Sequence, residues 1–585
     1  MSRKLVFLMA LTLAALVSHT TAAGQTLPPA IQCIPQDAVI VLEVTKPKAL
    51  FEVFTNDKAI ATIKALPLYK QQASKPQFNE FLNIVSFIET TLDTDWRTGL
   101  GKLTGAGITL AVCPEDTVFL IIDAEDEQTL KRFHEFFLNV ARSEAEKKGK
   151  YNIVKSKEYD GITAWTFDGK EAHTIIGKRL VLTNKSEKLK NILQYRSQTN
   201  NASLALNSAY QAAKRAVKTD AIAKVFVNLK PLMGIPQVAQ IFRQQHENPL
   251  AALAFAGILE ATRESNWLAL GLHIENNTLV FRASVDSKTV APTSPAAFAL
   301  PKQQDGGVFP NLSVPRRIAA LSLYRDLHQF YSAKDELFPE RTSGLIFFEN
   351  MMGIFFSGRD LTEEVLAETK PEIRFVVAEQ DYDPSIGTPK IKLPAFAAIL
   401  RLKNPKQFNE VAEEAWQKAL GLINFTRGQQ AMQGLIIDRP VYQGTTYSMA
   451  YFSTSGIDEK NNLDQRFNIR PALAMPGEYL ILSSTDGIAR DLIDTLNQEM
   501  EHNVKPIAET HSLVEIDTAQ LTSILKANRD TMVRNDMIKK GSTQEEAETG
   551  IDMLITLVQL IEHAKLGLGT HEDLTQARLE IKLNL

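Results

Sequence analysis

The chain has 585 residues, of which 64 are Lys or Arg and 68 are Asp or Glu, for a formal charge of −4. Its hydrophobic fraction of 44% and charged fraction of 23% are those of a globular protein. Charges of both signs are interspersed, so neither a nucleic-acid partner nor an anionic membrane surface is indicated.

From the N-terminus, Arg3 and Lys4 precede an apolar stretch from Leu5 to Val17 and a small-residue exit at Thr21-Ala22-Ala23. Residues 1–23 therefore read as a secretory signal peptide, too short to span a bilayer. No Cys follows closely enough for a lipid anchor, and no later run reaches the roughly 18 to 20 apolar residues of a spanning helix. The expected location is periplasmic or extracellular and soluble, with the charge falling from −4 to −6 once Arg3 and Lys4 are removed.

Beyond that segment the chain repeats itself as an ordered series. Pro35 and the strand Ala38 to Val44, with a helix from Pro47 to Phe54, correspond to Pro315 and Ile318 to Leu323, with a helix over Leu327 to Tyr331. Asp95-Trp96 ahead of the strand Ile108 to Val112 corresponds to Asp360-Leu361 ahead of Ile373 to Val377. The strand Val118 to Ile122, entering a helix at Asp126, corresponds to Phe396 to Leu400, entering a helix at Asn404, each with an Asx residue placed to cap. Hairpins at Tyr159-Asp160-Gly161 and Tyr442-Gln443-Gly444 follow. Next come Leu180 to Thr183 and Leu480 to Ser483, then Val225 to Leu229 and Leu513 to Ile516, and finally Leu270-Gly271-Leu272 and Leu566-Gly567-Leu568. The order predicts an α+β fold of two tandem homologous halves, 34–286 and 314–585, each an antiparallel or mixed β-sheet with helices packed on one face. Residues 287–313, with four prolines and two glycines, read as the linker.

Other predicted helices cover Gln77 to Leu92, Glu127 to Ala145, Leu204 to Val217, Pro236 to Gln245, Pro405 to Ile423 and Glu545 to His563, with a polar loop from Ser453 to Arg466. Two segments, Pro249 to Leu259 and Ile551 to Ile561, are apolar nearly all round. Such helices are usually buried on both sides; alternatively they face one another or line a groove for an apolar ligand.

The chain has two cysteines, Cys33 and Cys113, both in the first half. Their counterparts in the second half are absent together, as expected of a bonded pair. An exported chain can oxidise them, and closing a loop of about 80 residues adds roughly 4 kcal/mol in the chain-entropy view. Cys33 and Cys113 are thus the disulfide candidate.

Motifs for catalysis, cofactors and metals do not stand out. The histidines are scattered, no HExxH or CxxC occurs, and His563 with His571 is not a zinc spacing. Ser523-Ile524-Leu525-Lys526 matches SxxK but lacks the SDN and KTG partners of penicillin-recognising enzymes. Gly99, Gly101, Gly105 and Gly107 lack a following Lys-Ser/Thr and read as a turn into a strand. Asp381 and Asp383 lie in a loop without EF-hand spacing. Sequons occur at Asn184, Asn201, Asn276, Asn311 and Asn424.

The fragments Phe356-Ser357-Gly358-Arg359-Asp360-Leu361, Pro371 to Ala378 and Leu393-Pro394-Ala395-Phe396-Ala397 resemble those of uncharacterised exported proteins of planctomycete-type bacteria. Pro35-Gln36-Asp37-Ala38-Val39 resembles the start of a related exported domain of unknown function. The resemblance implies location and fold and carries no chemistry. The expectation is a non-enzymatic binding or scaffold protein of the cell envelope, whose partner is a protein or an apolar ligand. The alternatives are a periplasmic carrier of an apolar ligand such as lipid, and a hydrolase with a site assembled from distant residues.

Overall fold

A computed structural model of the chain describes residues 27–584, apart from most of 66–93, from 198–202, 239–248, 287–296, 300–305 and 339–341, and from single positions elsewhere. The expected signal peptide, most of the linker, the helix from Gln77 to Leu92 and most of that from Pro236 to Gln245 lie outside the described residues. The chain forms two compact units, residues 1–238, 265–286 and 585 in one and residues 239–264 and 287–584 in the other. No helix among the described residues is long and apolar enough to cross a membrane.

Among the described residues the first unit has ten strands: β1 (Ile40–Val44), β2 (Gly107–Cys113), β3 (Thr117–Asp123), β4 (Val154–Tyr159), β5 (Ile162–Phe167), β6 (Glu171–Ile176), β7 (Arg179–Thr183), β8 (Ala223–Asn228), β9 (Trp267–Glu275) and β10 (Thr278–Asp286). They pair in the order β4-β5-β6-β7-β3-β2-β1-β8-β9-β10, every pair antiparallel. The pairs β2–β3, β4–β5, β5–β6, β6–β7 and β9–β10 are joined by turns of two or three residues, whereas β1–β2 and β8–β9 are neighbours joined by long connections that carry helices. The central strands β3 and β7 are apolar on both faces: adjacent Ile121 and Ile122 are both buried, as are Leu180 and Val181. Helices must therefore cover the sheet on both sides.

On the Ile122 and Leu180 side, Leu103 of helix α1 (Trp96–Thr104) and Leu130 and Phe133 of α2 (Glu127–Lys147) complete a cluster. On the other, Val181 meets Ile192 of α3 (Ser186–Ser197). This corrects the expectation of helices on one face.

The second unit repeats the strand order. Ten of its strands are β11 (Arg317–Tyr324), β12 (Thr369–Ala378), β13 (Ala395–Leu402), β14 (Ile436–Asp438), β15 (Thr445–Tyr451), β16 (Ala472–Ala474), β17 (Tyr479–Ser483), β18 (Thr510–Asp517), β19 (Ile561–His571) and β20 (Leu574–Leu583); three two-residue strands stand outside this series, Gly307–Val308 paired with Ile507–Ala508 and Val441–Tyr442 paired with Thr445 and Thr446. They pair as β14-β15-β16-β17-β13-β12-β11-β18-β19-β20, again antiparallel throughout. Position for position, this is the order of the first unit.

Here too both faces are covered. Helix α4 (Asp486–Glu501) lays Ile488, Leu492, Ile493 and Leu496 against Val376, Ile399 and Ile481. Helix α5 (Pro405–Gln429) puts Phe408 and Ala412 against Leu402, Leu473 and Leu480 on the opposite side. At the hairpin turns Gly161 and Gly444 have φ of 73° and 74°, a region that costs other residues strain.

Asp126 caps its helix through a 2.8 Å bond from the Thr129 amide, but Asn404 does not cap; its side chain donates to Glu368 instead. The predicted helix from Glu545 to His563 stops at Gln559, and His563 and His571 both lie in the strand that follows.

The expected disulfide does not form: Cys33 and Cys113 are both buried and are not bonded to one another. Cys113 stands opposite Thr117, whereas Cys33 lies against Arg179, which stands opposite Asp123. The six residues from Thr117 to Asp123 span about 20 Å of strand, too far for a disulfide even after allowing for the reach of an Arg side chain.

Helix α6 (Pro249–Glu264), although it precedes the linker in sequence, belongs to the second unit. Ala252 packs with Phe298, Phe330 and Phe338, and Arg325 donates to the carbonyls of Leu253 and Ala254.

Candidate functional site

The two segments marked as apolar all round are not sealed cores. In α6 Ala252 and Ala261 are buried while Phe255 is exposed; in α7 (Gln544–Gln559) Ala547 and Ile555 are buried while Leu554 and Leu557 are exposed. A third helix of the same kind is not among those expected from the sequence. Between Leu345 and Phe356 the only polar side chains are Glu349 and Asn350. The signal was the same absence of a polar stripe.

This helix, α8 (Thr342–Phe355), presents an apolar side chain in both directions. Inward, Leu345, Met352 and the following Phe356 pack against a cluster that includes Phe408 and Ala412 of α5. Outward, Ile346, Phe347, Met351 and Ile354 face solvent, with Phe347 at 71% and Ile354 at 69% relative exposure. Lys418 Nζ donates to the Ile354 carbonyl at 3.3 Å, and Ser357 contacts Glu414, so α8 runs antiparallel to α5. Leu422 lies one turn beyond Lys418 on the same side of α5. It and Phe425 (63%) continue the exposed apolar surface.

The outer end of α5 is braced. The Asn424 amide clamps both backbone groups of Leu435, donating to its carbonyl at 3.0 Å and accepting from its N–H at 2.6 Å. Asn424 is a sequon residue, and its amide is thus already engaged. Arg427 Nε donates to the Gln433 carbonyl at 2.6 Å. The result is a ridge in which side chains exposed beyond 60% stand clear of their neighbours. Its base carries Lys418 and Arg359 against Glu414.

The residues considered for catalysis lie elsewhere and apart. Ser523 Oγ donates to Glu379 at 3.0 Å, and no bond joins it to Lys526. Asp383 accepts from the amide and hydroxyl of Ser385, which holds its carboxyl below the usual range, and Asp381 faces Arg316 at 3.8 Å. Gly105 is a close approach, where a Cβ would meet the Gly101 carbonyl at 2.2 Å, and Gly107 opens β2 with φ of 145°. No group of three or more metal-ligating side chains occurs among the described residues.

Two buried histidines do meet, which the scattered spacing concealed. His134 on α2 and His173 on β6 approach to 2.9 Å between Nε2 atoms. His173 stacks between Trp165 and Phe167 at interplanar angles of 17° and 14°. Burial pushes both imidazoles down, His134 to about 4 and His173 to about 3. Both are neutral at neutral pH, one donating and one accepting. With no nucleophile or carboxylate among their described contacts, the pair has the makings of a core network.

No protein-family model matches the chain, and no curated protein does. Among solved structures, crystal form III of TP0453 is similar at 10% identity over 47% of this chain and 85% of that one, with a TM-score of 0.26. Crystal form I of TP0453 gives 12% identity, 47% and 84% coverage and a TM-score of 0.23. At such scores these likenesses assign neither fold nor function.

Proposed function

We propose that the chain is an exported, non-enzymatic binding and scaffold protein of the cell envelope, made of two copies of one ten-stranded domain, and that its second unit rests on a lipid surface through the ridge of α8 and α5. The shared strand order supports the duplication, because ten strands fall into one non-consecutive arrangement twice. The signal-like N-terminus and the resemblance to exported planctomycete-type proteins support the location.

The observation that carries the docking reading is the exposure of Phe347, Ile354 and Phe425 on the two antiparallel helices α8 and α5. Soluble surfaces rarely expose contiguous apolar patches of this kind without a binding role. Moving one such side chain wholly out of water is worth roughly 1.5–3 kcal/mol. A ridge of protruding side chains enters an acyl layer more readily than it accepts a helix, which would need a groove. The single positive surplus at its base, Lys418 and Arg359 against Glu414, suits a phosphate-bearing headgroup.

Sedimentation of the chain lacking residues 1–23 with phosphatidylcholine vesicles tests this. The protein is expected to pellet with lipid, and Phe347→Glu with Ile354→Glu to lose at least tenfold in partitioning while keeping its circular dichroism. A protein that stays in the supernatant at every lipid concentration would point to a partner's groove as the occupant and sink the lipid reading.

A further inference from the structure

In each unit one face of the sheet carries apolar rows that are not sealed. In the first, a row of side chains crosses six neighbouring strands, from Leu182 on β7 through Leu120, Leu110, Leu42 and Val225 to Leu270 on β9. Two residues along, a second row runs from Val118 on β3 through Val112, Ile40 and Val227 to Leu268. In the second unit the equivalent strands carry Leu482, Ala398, Phe375, Leu321, Val514 and Leu566 in one row, and Phe396, Val377, Ala319, Ile516 and Ala564 in the next. Some identities differ between the units, but no position in any of the four rows is polar.

None of these side chains is buried, and Ile40, Phe375, Leu482 and Phe396 are exposed, the last at 56%. The reverse face is closed: Val41, Ala111, Phe119 and Phe226 in the first unit and Ala320, Val376, Ala397 and Ile481 in the second are each at most 3% exposed. An antiparallel sheet with one solvated face normally turns polar side chains to it. Here the open rows are apolar in both units, and contiguous exposed apolar surface marks a binding site.

The rows also restrict what they can hold. Every strand in them is paired on both sides, so its backbone N–H and C=O groups are committed to the ladders. The side chains add no donor, acceptor or charge. A protein partner would look for about one hydrogen bond per 100–200 Å²; hydrocarbon has no polar group to leave unpaired. A second copy of the chain would bring its own helices on the same face. In the first unit Leu103 of α1 and Leu130 and Phe133 of α2 pack on Ile122 and Leu180, which point the same way as the rows; in the second, α5 packs on Leu402 and Leu480. Helices about 10–12 Å thick hold two such faces apart beyond the ~10 Å at which sheets pack. They leave a shoulder against which a narrow chain can lie. Six strands spaced about 4.8 Å apart carry the longer row over roughly 24 Å, enough for the ~15 Å of hydrocarbon in one leaflet of a bilayer.

From these rows and the helices beside them, we infer that the open sheet face of each unit holds the acyl chains of a phospholipid, with the headgroup left in solvent. In the second unit Leu345 and Met352 of α8 pack into the same cluster as Leu402 and Leu480, so the ridge stands on the side of the sheet that carries the rows. Supply of lipid from a membrane rests on the ridge reading. Holding an acyl chain does not.

The test uses the chain lacking residues 1–23 loaded with phenylnaphthylamine, a dye that brightens in apolar surroundings. Dioctanoylphosphatidylcholine below its micelle concentration is expected to displace the dye, and glycerophosphocholine, the headgroup without tails, is not. Phe396→Glu with Leu482→Glu should remove the second unit's share of the dye signal, and Ile40→Glu the first unit's, with circular dichroism unchanged. Dye that does not bind, that glycerophosphocholine displaces equally, or that the folded variants hold undiminished overturns the inference. So does a lipid-free chain that elutes as a dimer and is dissociated by the same substitutions, which gives the faces to a second copy. The Phe347→Glu, Ile354→Glu protein should keep the displacement by dioctanoylphosphatidylcholine while losing vesicle pelleting, so failure of the ridge and failure of the rows are read separately.

Discussion

His134 and His173 share a hydrogen bond of 2.9 Å between their Nε2 atoms inside a box formed by Trp165, Phe137 and Phe167. The pair joins α2 to the β5–β6 hairpin, so the packing of that end of the first unit depends on two uncharged imidazoles.

Acid should therefore loosen it. Burial holds His134 and His173 at about 4 and about 3 in the folded chain, against 6.5 unfolded. Above pH ~6.5 neither state carries the protons and the contribution to stability is complete. As pH falls below 6.5 the unfolded chain takes up protons that the folded chain refuses, so stability falls by up to about 1.4 kcal/mol per pH unit for each His. The loss levels off only below the folded values. Urea denaturation followed by Trp fluorescence between pH 7 and pH 4 measures the slope. The double substitution His134→Phe, His173→Phe should flatten it, and an unchanged slope in that variant contradicts the assignment.

Both cysteines should titrate as thiols. Denatured protein is expected to release two equivalents, with a melting temperature indifferent to reductant. In the folded chain Cys113, which burial raises to about 12, should resist alkylation at pH 8. A single mixed-disulfide or intramolecular species by mass spectrometry in non-reduced protein would refute this.

Arg325 is 1% exposed and has no carboxylate among its hydrogen-bond partners; its guanidinium serves carbonyls of Leu253, Ala254, Tyr324 and His511 and the hydroxyl of Ser512. Removing it leaves several buried acceptors unmatched and frees α6 from β11. Arg325→Met should destabilise the second unit by about 3 kcal/mol or more, since hydrogen bonds to a charged group are worth about 1.5–3 kcal/mol each but do not add. Arg325→Lys should recover little of this, because an ammonium cannot span the same fork. Denaturant midpoints of the three proteins decide it.

The two equivalent strand glycines should respond differently. A Cβ at Gly271 would sit 2.8 Å from Val217 Cγ1 and 3.3 Å from His273 Nε2, whereas Gly567 has open space. Gly271→Ala is expected to cost about 1–3 kcal/mol by overpacking. Gly567→Ala should stay within about 0.5 kcal/mol of the parent. Equal effects would show that the crowding at Gly271 relaxes freely.

Much of the fold was legible because strands and turns are written locally. Alternating apolar residues marked β2 and β13, and Gly161 and Gly444 marked their hairpins, which was enough for an α+β fold with antiparallel or mixed sheet but not for the number of strands or their arrangement. The number of faces a sheet buries was less visible. Ile121-Ile122 and Leu180-Val181 do carry the signal of a doubly covered strand, but only the packing of α2 and α3 shows what covers each side. The end of α7 at Gln559 was missed because the apolar run continues unbroken into β19, where tertiary pairing with β18 overrides helical periodicity.

The sequence by itself determined the elements, their order and the composition that makes each unit globular, because these follow from local periodicity and turn chemistry. The tertiary structure decided which distant groups meet. It parted Cys33 from Cys113 by the length of a strand, brought His134 onto His173, and carried α6 past the linker's boundary to Arg325. It also turned Phe347 and Ile354 outward and set Arg427 and Arg466 over the Phe452 ring. Those outcomes depend on register and packing between segments far apart in the chain, to which local pattern is blind.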